Sequence, residues 1–271
     1  MTQDKRMLLA GVVGLVLCAS SCQSYTVPGR AADMGLFTRA GELDPVRETD
    51  ERSSAETPLA EILARAPMAA FPTALAVARV QGSGYRSEAS WQAVGSGSYA
   101  LISSRDEGEH AVLAKLDAWS QVSGVVGLNR LLVPEQLETD VELRKAAAQL
   151  HADMLLVYTL DTSLETHNRS VLLTILSLGI APTYEARVRT TASAILLDTR
   201  TGYVYGAAEV TTGDEERTSE WNYYWGDDVP EEFRDTERDA IVKLAGELER
   251  TWIDILATYA RAPSGPQAAG G

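Results

Sequence analysis

Cysteine is almost missing from this 271-residue chain. There are two, Cys18 and Cys22, four positions apart in the stretch LVLCASSC. Downstream of residue 22 there is therefore no internal disulfide, no cysteine metal site and no cysteine nucleophile. Histidine is scarce as well, with three residues: His110, His151 and His167. None belongs to H-E-x-x-H and none lies near a cysteine, so metal ligation has no pattern to stand on. Positive charge is in deficit, with 24 Lys and Arg against 38 Asp and Glu, for a net charge of −14. Such an acidic surface argues against nucleic acid and against adhesion to anionic lipid heads. Nucleophile elbows and phosphate cradles are also lacking. GSGSY at 95–99 misses the G-x-S-x-G spacing, and GSGYRS at 82–87 is neither a Walker A loop nor a dinucleotide fingerprint.

What is present begins at the N-terminus. Lys5 and Arg6 precede an apolar run from Met7 to Leu17, followed by the small residues Ala19, Ser20 and Ser21 before Cys22. A basic start, a short apolar segment and small residues form the layout of a secretory signal. The run is too short for a bilayer, which takes about 20 apolar residues. The stretch resembles the bacterial lipoprotein signal, in which cleavage precedes a cysteine that carries a diacylglyceryl thioether. Residues 1–21 are then the signal and Cys22 the lipidated N-terminus, with Ala19 standing where the usual form has Leu. An ordinary cleaved signal would instead leave a soluble secreted protein. Several acyl chains hold firmly, since each buried methylene adds about 0.8 kcal/mol and one chain alone is marginal. Gln23, where an Asp would resemble an inner-membrane retention signal, points in a Gram-negative host to the outer membrane, facing the periplasm.

Residues 22–57 are polar, rich in Gly, Pro, Arg, Asp and Glu and without sustained period, which reads as a flexible tether. A single domain is expected over 58–262 and a disordered tail over 263–271. A short helix is possible from Pro58 to Arg65. FPTALAVARV (71–80) reads as a strand, followed by a Gly/Ser loop through Tyr99. A helix fits 109–122, with Val112, Leu113, Leu116 and Trp119 on one face. VVGLNRLLV (125–133) reads as a second strand, and Pro134 can open a helix running to His151. ADMLLVYTLDT (152–162) is an apolar run of the kind found when both faces of a strand are covered. RSVLLTILSLGIAP, YEARVRTTASAILLD and GYVYGAAEVTT are strand-like runs joined by turn signals. The middle one alternates, with Ala186, Val188, Thr190, Ala192, Ala194 and Leu196 on one side and Arg187, Arg189, Thr191 and Ser193 on the other. A last helix spans about 236–261, with Ile241, Leu244, Leu248, Trp252, Ile255 and Tyr259 in phase. The order β-α-β-α-β-β-β-α implies an α/β (α+β) fold: a mixed sheet with a C-terminal antiparallel meander and helices packed on it.

LRKAAAQLHADMLLVYTLDT (143–162) and ASAILLDTRTGYVYGAAE (192–209) carry a family resemblance over roughly 70–260. They resemble the periplasmic domain shared by the curli-secretion lipoproteins and the TolB amino-terminal domain, an arrangement also found in rhombotarget-type lipoproteins of unknown activity. The resemblance implies an adaptor, an assembly factor or an oligomeric secretion or transport subunit. It transfers no catalytic residue and no cofactor. A pore would need a membrane hairpin. The one candidate, VLLTILSLGIAPTYEARV, has a first arm apolar on both faces rather than alternating. Asp198–Gly202 reads as a turn capped by Asp and Thr side chains, with Gly202 taking positive φ.

The strongest candidate for a site is EWNYYWGDDVPEEF (220–233). Trp221, Tyr223, Tyr224 and Trp225 beside acids could stack on sugar rings or form a binding hot spot. They could equally complete the core. The acid pairs Asp227/Asp228 and Glu231/Glu232 and the DEE at 214–216 read as solvated loop charge. The partner expected is an envelope protein or cell-wall component, or further copies of the chain, with the membrane engaged through Cys22.

Overall fold

The computed structural model describes residues 24–26, 31–39, 59–82, 97–103, 107–168, 184–218 and 228–260. In chain order the elements are β1 Ser24–Thr26, α1 Met34–Arg39, α2 Leu59–Ala64, β2 Thr73–Gly82, β3 Tyr99–Ile102, α3 Glu107–Asp117, β4 Val122–Gly127, a 3-10 turn Arg130–Leu132, α4 Asp140–Gln149, β5 Met154–Asn168, β6 Tyr184–Asp198, β7 Val204–Thr218 and α5 Asp228–Tyr259. They form a mixed sheet of order β3-β2-β5-β6-β7, with β4 also on β2 and β1 also on β5. The mixed α+β class expected from the sequence is the class observed.

β2 is the hub. Its first half runs parallel to β4, with Leu75 against Val125, and its middle runs parallel to β5, with Leu75 against Met154. Its second half pairs antiparallel with β3, Val80 against Leu101. Parallel neighbours need crossover connections, which α3 and α4 supply. β6 and β7 form an antiparallel hairpin: Ser193 bonds Glu209 at 2.9 Å, and the Asp198 N–H reaches the Tyr203 carbonyl at 2.8 Å across the turn.

The chain divides into two compact units. The larger contains Gly29–Leu160, Ala192–Val210 and Ile241–Gly271. Its main core joins Ala76, Ala78 and Val80 of β2, Leu155 and Val157 of β5, and Leu143, Ala146 and Ala147 of α4, with Phe37 of α1 wholly buried. Successive strand residues point to opposite faces. Val77 and Leu156 accordingly turn the other way, toward α3 and the Ile241–Leu248 stretch of α5. The smaller unit contains Met1–Pro28, Asp161–Thr191 and Thr211–Ala240. Here β1 pairs antiparallel with β5, Tyr25 opposite Glu165. A seam of hydroxyls ties the rest together. Thr162 Oγ1 meets Thr190 Oγ1 at 3.0 Å and donates to Glu237 at 3.1 Å, and Thr212 donates to Asp239 at 2.7 Å.

Several boundaries depart from the sequence reading. The expected tether does not hold for 24–26 and 31–39. The first is a strand of the sheet, and the second buries Ala32 and Phe37, whose ring meets Tyr99 edge-on at 4.9 Å. β3 begins at Tyr99, the last residue of the expected Gly/Ser loop, and continues through a stretch given no element in the sequence reading, since four residues are too few to show a period. The helix expected over 109–122 ends at Asp117, because Gln121 takes φ 65 and closes the turn into β4. β4 stops at Gly127, where Asn129 caps the 3-10 turn instead of continuing the strand. The helix expected from Pro134 starts only at Asp140. Leu137 is held by the Tyr99 N–H and buried, while Thr139 and Glu142 form a capping box. That helix ends at Gln149; beyond the C-cap Leu150, His151 takes φ 57 and its N–H bonds the Ala148 carbonyl while Ala152 bonds that of Ala147, a Schellman closure. The last helix begins earlier than expected, at Asp228. The alternation of β6 is as read: Val188, Thr190, Ala192, Ala194 and Leu196 are buried, and Arg187 and Arg189 are exposed. The RSVLLTILSLGIAP run lies outside the described residues.

Candidate functional site

Two constellations in the larger unit bring polar side chains together. The first is the turn after β6. Asp198 is fully buried and accepts four hydrogen bonds. Its Oδ1 takes the N–H groups of Arg200 and Thr201 at 2.9 and 3.0 Å, folding the turn. Its Oδ2 takes the Met68 N–H at 2.6 Å and the Tyr205 hydroxyl at 2.9 Å. Burial alone would raise the Asp198 pKa. The hydrogen bonds from Met68, Thr201, Tyr205 and Arg200 outweigh it and hold the carboxyl below its ordinary value. The Tyr205 hydroxyl also accepts the Ala69 N–H at 3.0 Å, and Thr201 Oγ1 donates to the Ala66 carbonyl at 2.7 Å. Burial and the adjacent carboxylate raise the Tyr205 pKa far above its usual value. Gly202 takes φ 68, as the turn reading requires.

The turn is therefore a clasp, and segment 66–69 is what it holds. That segment follows α2, which carries Leu59, Ile62 and Leu63 as exposed apolar side chains, and Met68 is also exposed. Around the turn, Arg200 pairs with Asp153 at 2.8 Å, and Arg144 bonds both Asp140 at 2.7 Å and the Arg200 carbonyl at 3.3 Å. Burial raises the Asp140 pKa, opposed in part by Arg144.

The second constellation is buried between β2, β5 and α3. Glu109 Oε1 receives Arg79 Nη1 at 2.8 Å and the Tyr158 hydroxyl at 3.1 Å. The two charged side chains are 8% and 2% exposed. A buried charge pair of this kind is neutralised in place. The adjoining cavity is lined by Val77, Val112, Leu116, Leu156, Tyr158 and Leu244, and its volume is ≈ 20 Å³. That is about the space of one water molecule, far below the 300–1,000 Å³ of ordinary ligand pockets. The arrangement locks α3 to the sheet.

The expected site residues fare as follows. Trp221, Tyr223, Tyr224 and Trp225, and Cys22 with them, lie outside the described residues. His110 and His151 are exposed and far apart in the chain, on α3 and at the end of α4; the His167 side chain lies outside the described part. Among the described residues, no group of three His, Cys, Asp or Glu is placed to hold a metal ion. No described helix is long and apolar enough to cross a membrane. Sequence reasoning missed the Arg79–Glu109–Tyr158 trio. Arg79 sits in a run whose other members are apolar, and an arginine flanked by buried neighbours on both sides was the available signal.

No family model matches the chain, and no curated protein does. Among solved structures it is similar to a "putative lipoprotein" from Caulobacter crescentus CB15, with 12% identity and a TM-score of 0.25, over 59% of this chain and 89% of that one. A likeness that weak fixes neither fold nor function.

Proposed function

We propose that this chain is a lipid-anchored protein of the bacterial envelope whose folded part is an interaction or assembly module rather than an enzyme. The observation that carries the reading is the N-terminal layout: basic start, short apolar run, small residues and Cys22. The buried polar groups support the second half of the statement. Asp198 and Glu109 each hold segments of the fold together, Asp198 through Met68 and Tyr205 and Glu109 through Arg79 and Tyr158. Gln23 favours the outer membrane, with the domain facing the periplasm. Trp221, Tyr223, Tyr224 and Trp225 are the proposed contact residues, on composition alone, since Trp and Tyr dominate binding hot spots. Fold does not decide among partners, because function lives in sites grafted on folds.

The test is the native mass of the full-length lipidated protein extracted in mild detergent. A protomer-sized or small particle with stable extra mass supports the module and supplies the partner. A homogeneous multiple of the protomer, of about eight copies or more, replaces it with the oligomeric secretion-subunit reading. Alanine at Trp221 and Trp225 should then release the extra mass while the thermal transition stays in place. Unchanged binding removes those residues from the site.

A further inference from the structure

If Cys22 carries the lipid, as proposed above, the anchor is not separated from the fold by a spacer. Ser24, two residues on, already pairs with Thr166 of β5, and Tyr25 and Thr26 continue the ladder against Glu165 and Leu164. Two residues of chain reach at most about 7 Å. Adding the spacing of about 5 Å between paired strands, the backbone of Cys22 lies within about 12 Å of Thr166, and the lipid is attached there. In the same unit β6 lies along β5, with Thr162 against Thr190 and Ser163 bonding the Arg189 carbonyl. β1 is thus stitched to a strand that is itself stitched to the next. β5 leaves the sheet at Asn168, two residues beyond the β1 register. The 31 residues between Thr26 and Pro58 follow the ladder in the chain and so do not separate it from Cys22.

We infer that the smaller unit presents the end of β5 to the bilayer surface, as a membrane-apposed sheet end rather than a domain on a leash. The occupant of that surface is the lipid headgroup layer, held there by the acyl chains on Cys22. The net charge of −14 gives no electrostatic attraction to anionic heads, so the short covalent link must supply the contact.

The experiment uses the full lipidated chain in phosphatidylethanolamine-rich vesicles containing headgroup-region doxyl lipid as quencher. A fluorophore is attached at N168C, the mature chain having no other thiol once Cys22 is acylated. The comparison form carries about 20 Gly/Ser residues between Gln23 and Ser24, a spacer with an r.m.s. span of about 25 Å. Mass spectrometry of the N-terminal peptide establishes acylation in both forms, and matched thermal transitions establish that both are folded. Strong quenching in the natural chain that is mostly lost in the spacer form is the expected result. Acylated protein with equal quenching in the two forms overturns the inference and leaves the lipoprotein reading standing. Protein that lacks acyl mass on Cys22 and floats free of the vesicles overturns both.

Discussion

Tyr205 donates its hydroxyl hydrogen to Asp198 Oδ2 at 2.9 Å while accepting the Ala69 N–H at 3.0 Å, so one phenol joins the β6–β7 hairpin to the segment leading into β2. The Met68 N–H reaches the same carboxylate oxygen at 2.6 Å. The clasp works because the carboxylate is ionised and can only accept, with donors on every side.

Asp198→Asn should be destabilising by roughly 1–3 kcal/mol at neutral pH, because the new amide nitrogen faces the Met68 N–H, donor against donor. The penalty should depend on pH. The folded Asp198 carboxyl titrates below its ordinary value of about 3.9, so its stabilisation is fully present above that value and is lost as pH falls through the folded one. Urea unfolding at pH 7 and at pH 3 should show the gap between natural chain and variant narrowing in acid. A gap that stays constant would mean that the charge of Asp198 does not matter.

Gly202→Ala should cost about 1–2 kcal/mol, read as a lowered melting temperature. The backbone φ of 68 disfavours any side chain, and the added Cβ would stand 3.1 Å from the Arg144 guanidinium carbon. Gly124→Ala is the control, since a Cβ there meets nothing within 4 Å.

Arg79→Met alone should be severely destabilising, by about 3–5 kcal/mol, since it strands a buried carboxylate. Combining it with Glu109→Leu should recover much of the loss. Thermal melts of the two singles and the double complete the cycle. A double variant no better than the worse single would show that the pair does more than neutralise itself.

The parts of this fold that were legible in the sequence are those where one side chain type repeats at a fixed spacing. β6 shows its period of two through Val188, Thr190, Ala192 and Ala194, and α5 its helical period through Leu244, Leu248, Trp252 and Ile255. The turn at Asp198–Gly202 was legible because only a short polar side chain and a glycine satisfy its backbone. Non-local pairing was not legible. β3 is four residues long and is a strand because the second half of β2 offers it an edge. Residues 31–39 look like linker because their apolar burial rests on two separated residues, Ala32 and Phe37. The hold of Asp198 on Met68 joins residues 130 positions apart, which no local pattern encodes. Of the expected site residues, Cys22 and the aromatic stretch were read from their chemistry and lie outside the described residues, while the buried Arg79–Glu109 pair joins positions 30 apart and shows only in the fold.

The central claim is the lipid on Cys22, and the mass of the N-terminal peptide of the full chain purified from bacterial membranes tests it most directly. The account predicts a peptide beginning at Cys22 that carries a diacylglyceryl group, and a Cys22→Ala chain that leaves the membrane fraction. A peptide beginning at another residue without acyl mass, from protein recovered in the soluble fraction, would contradict it.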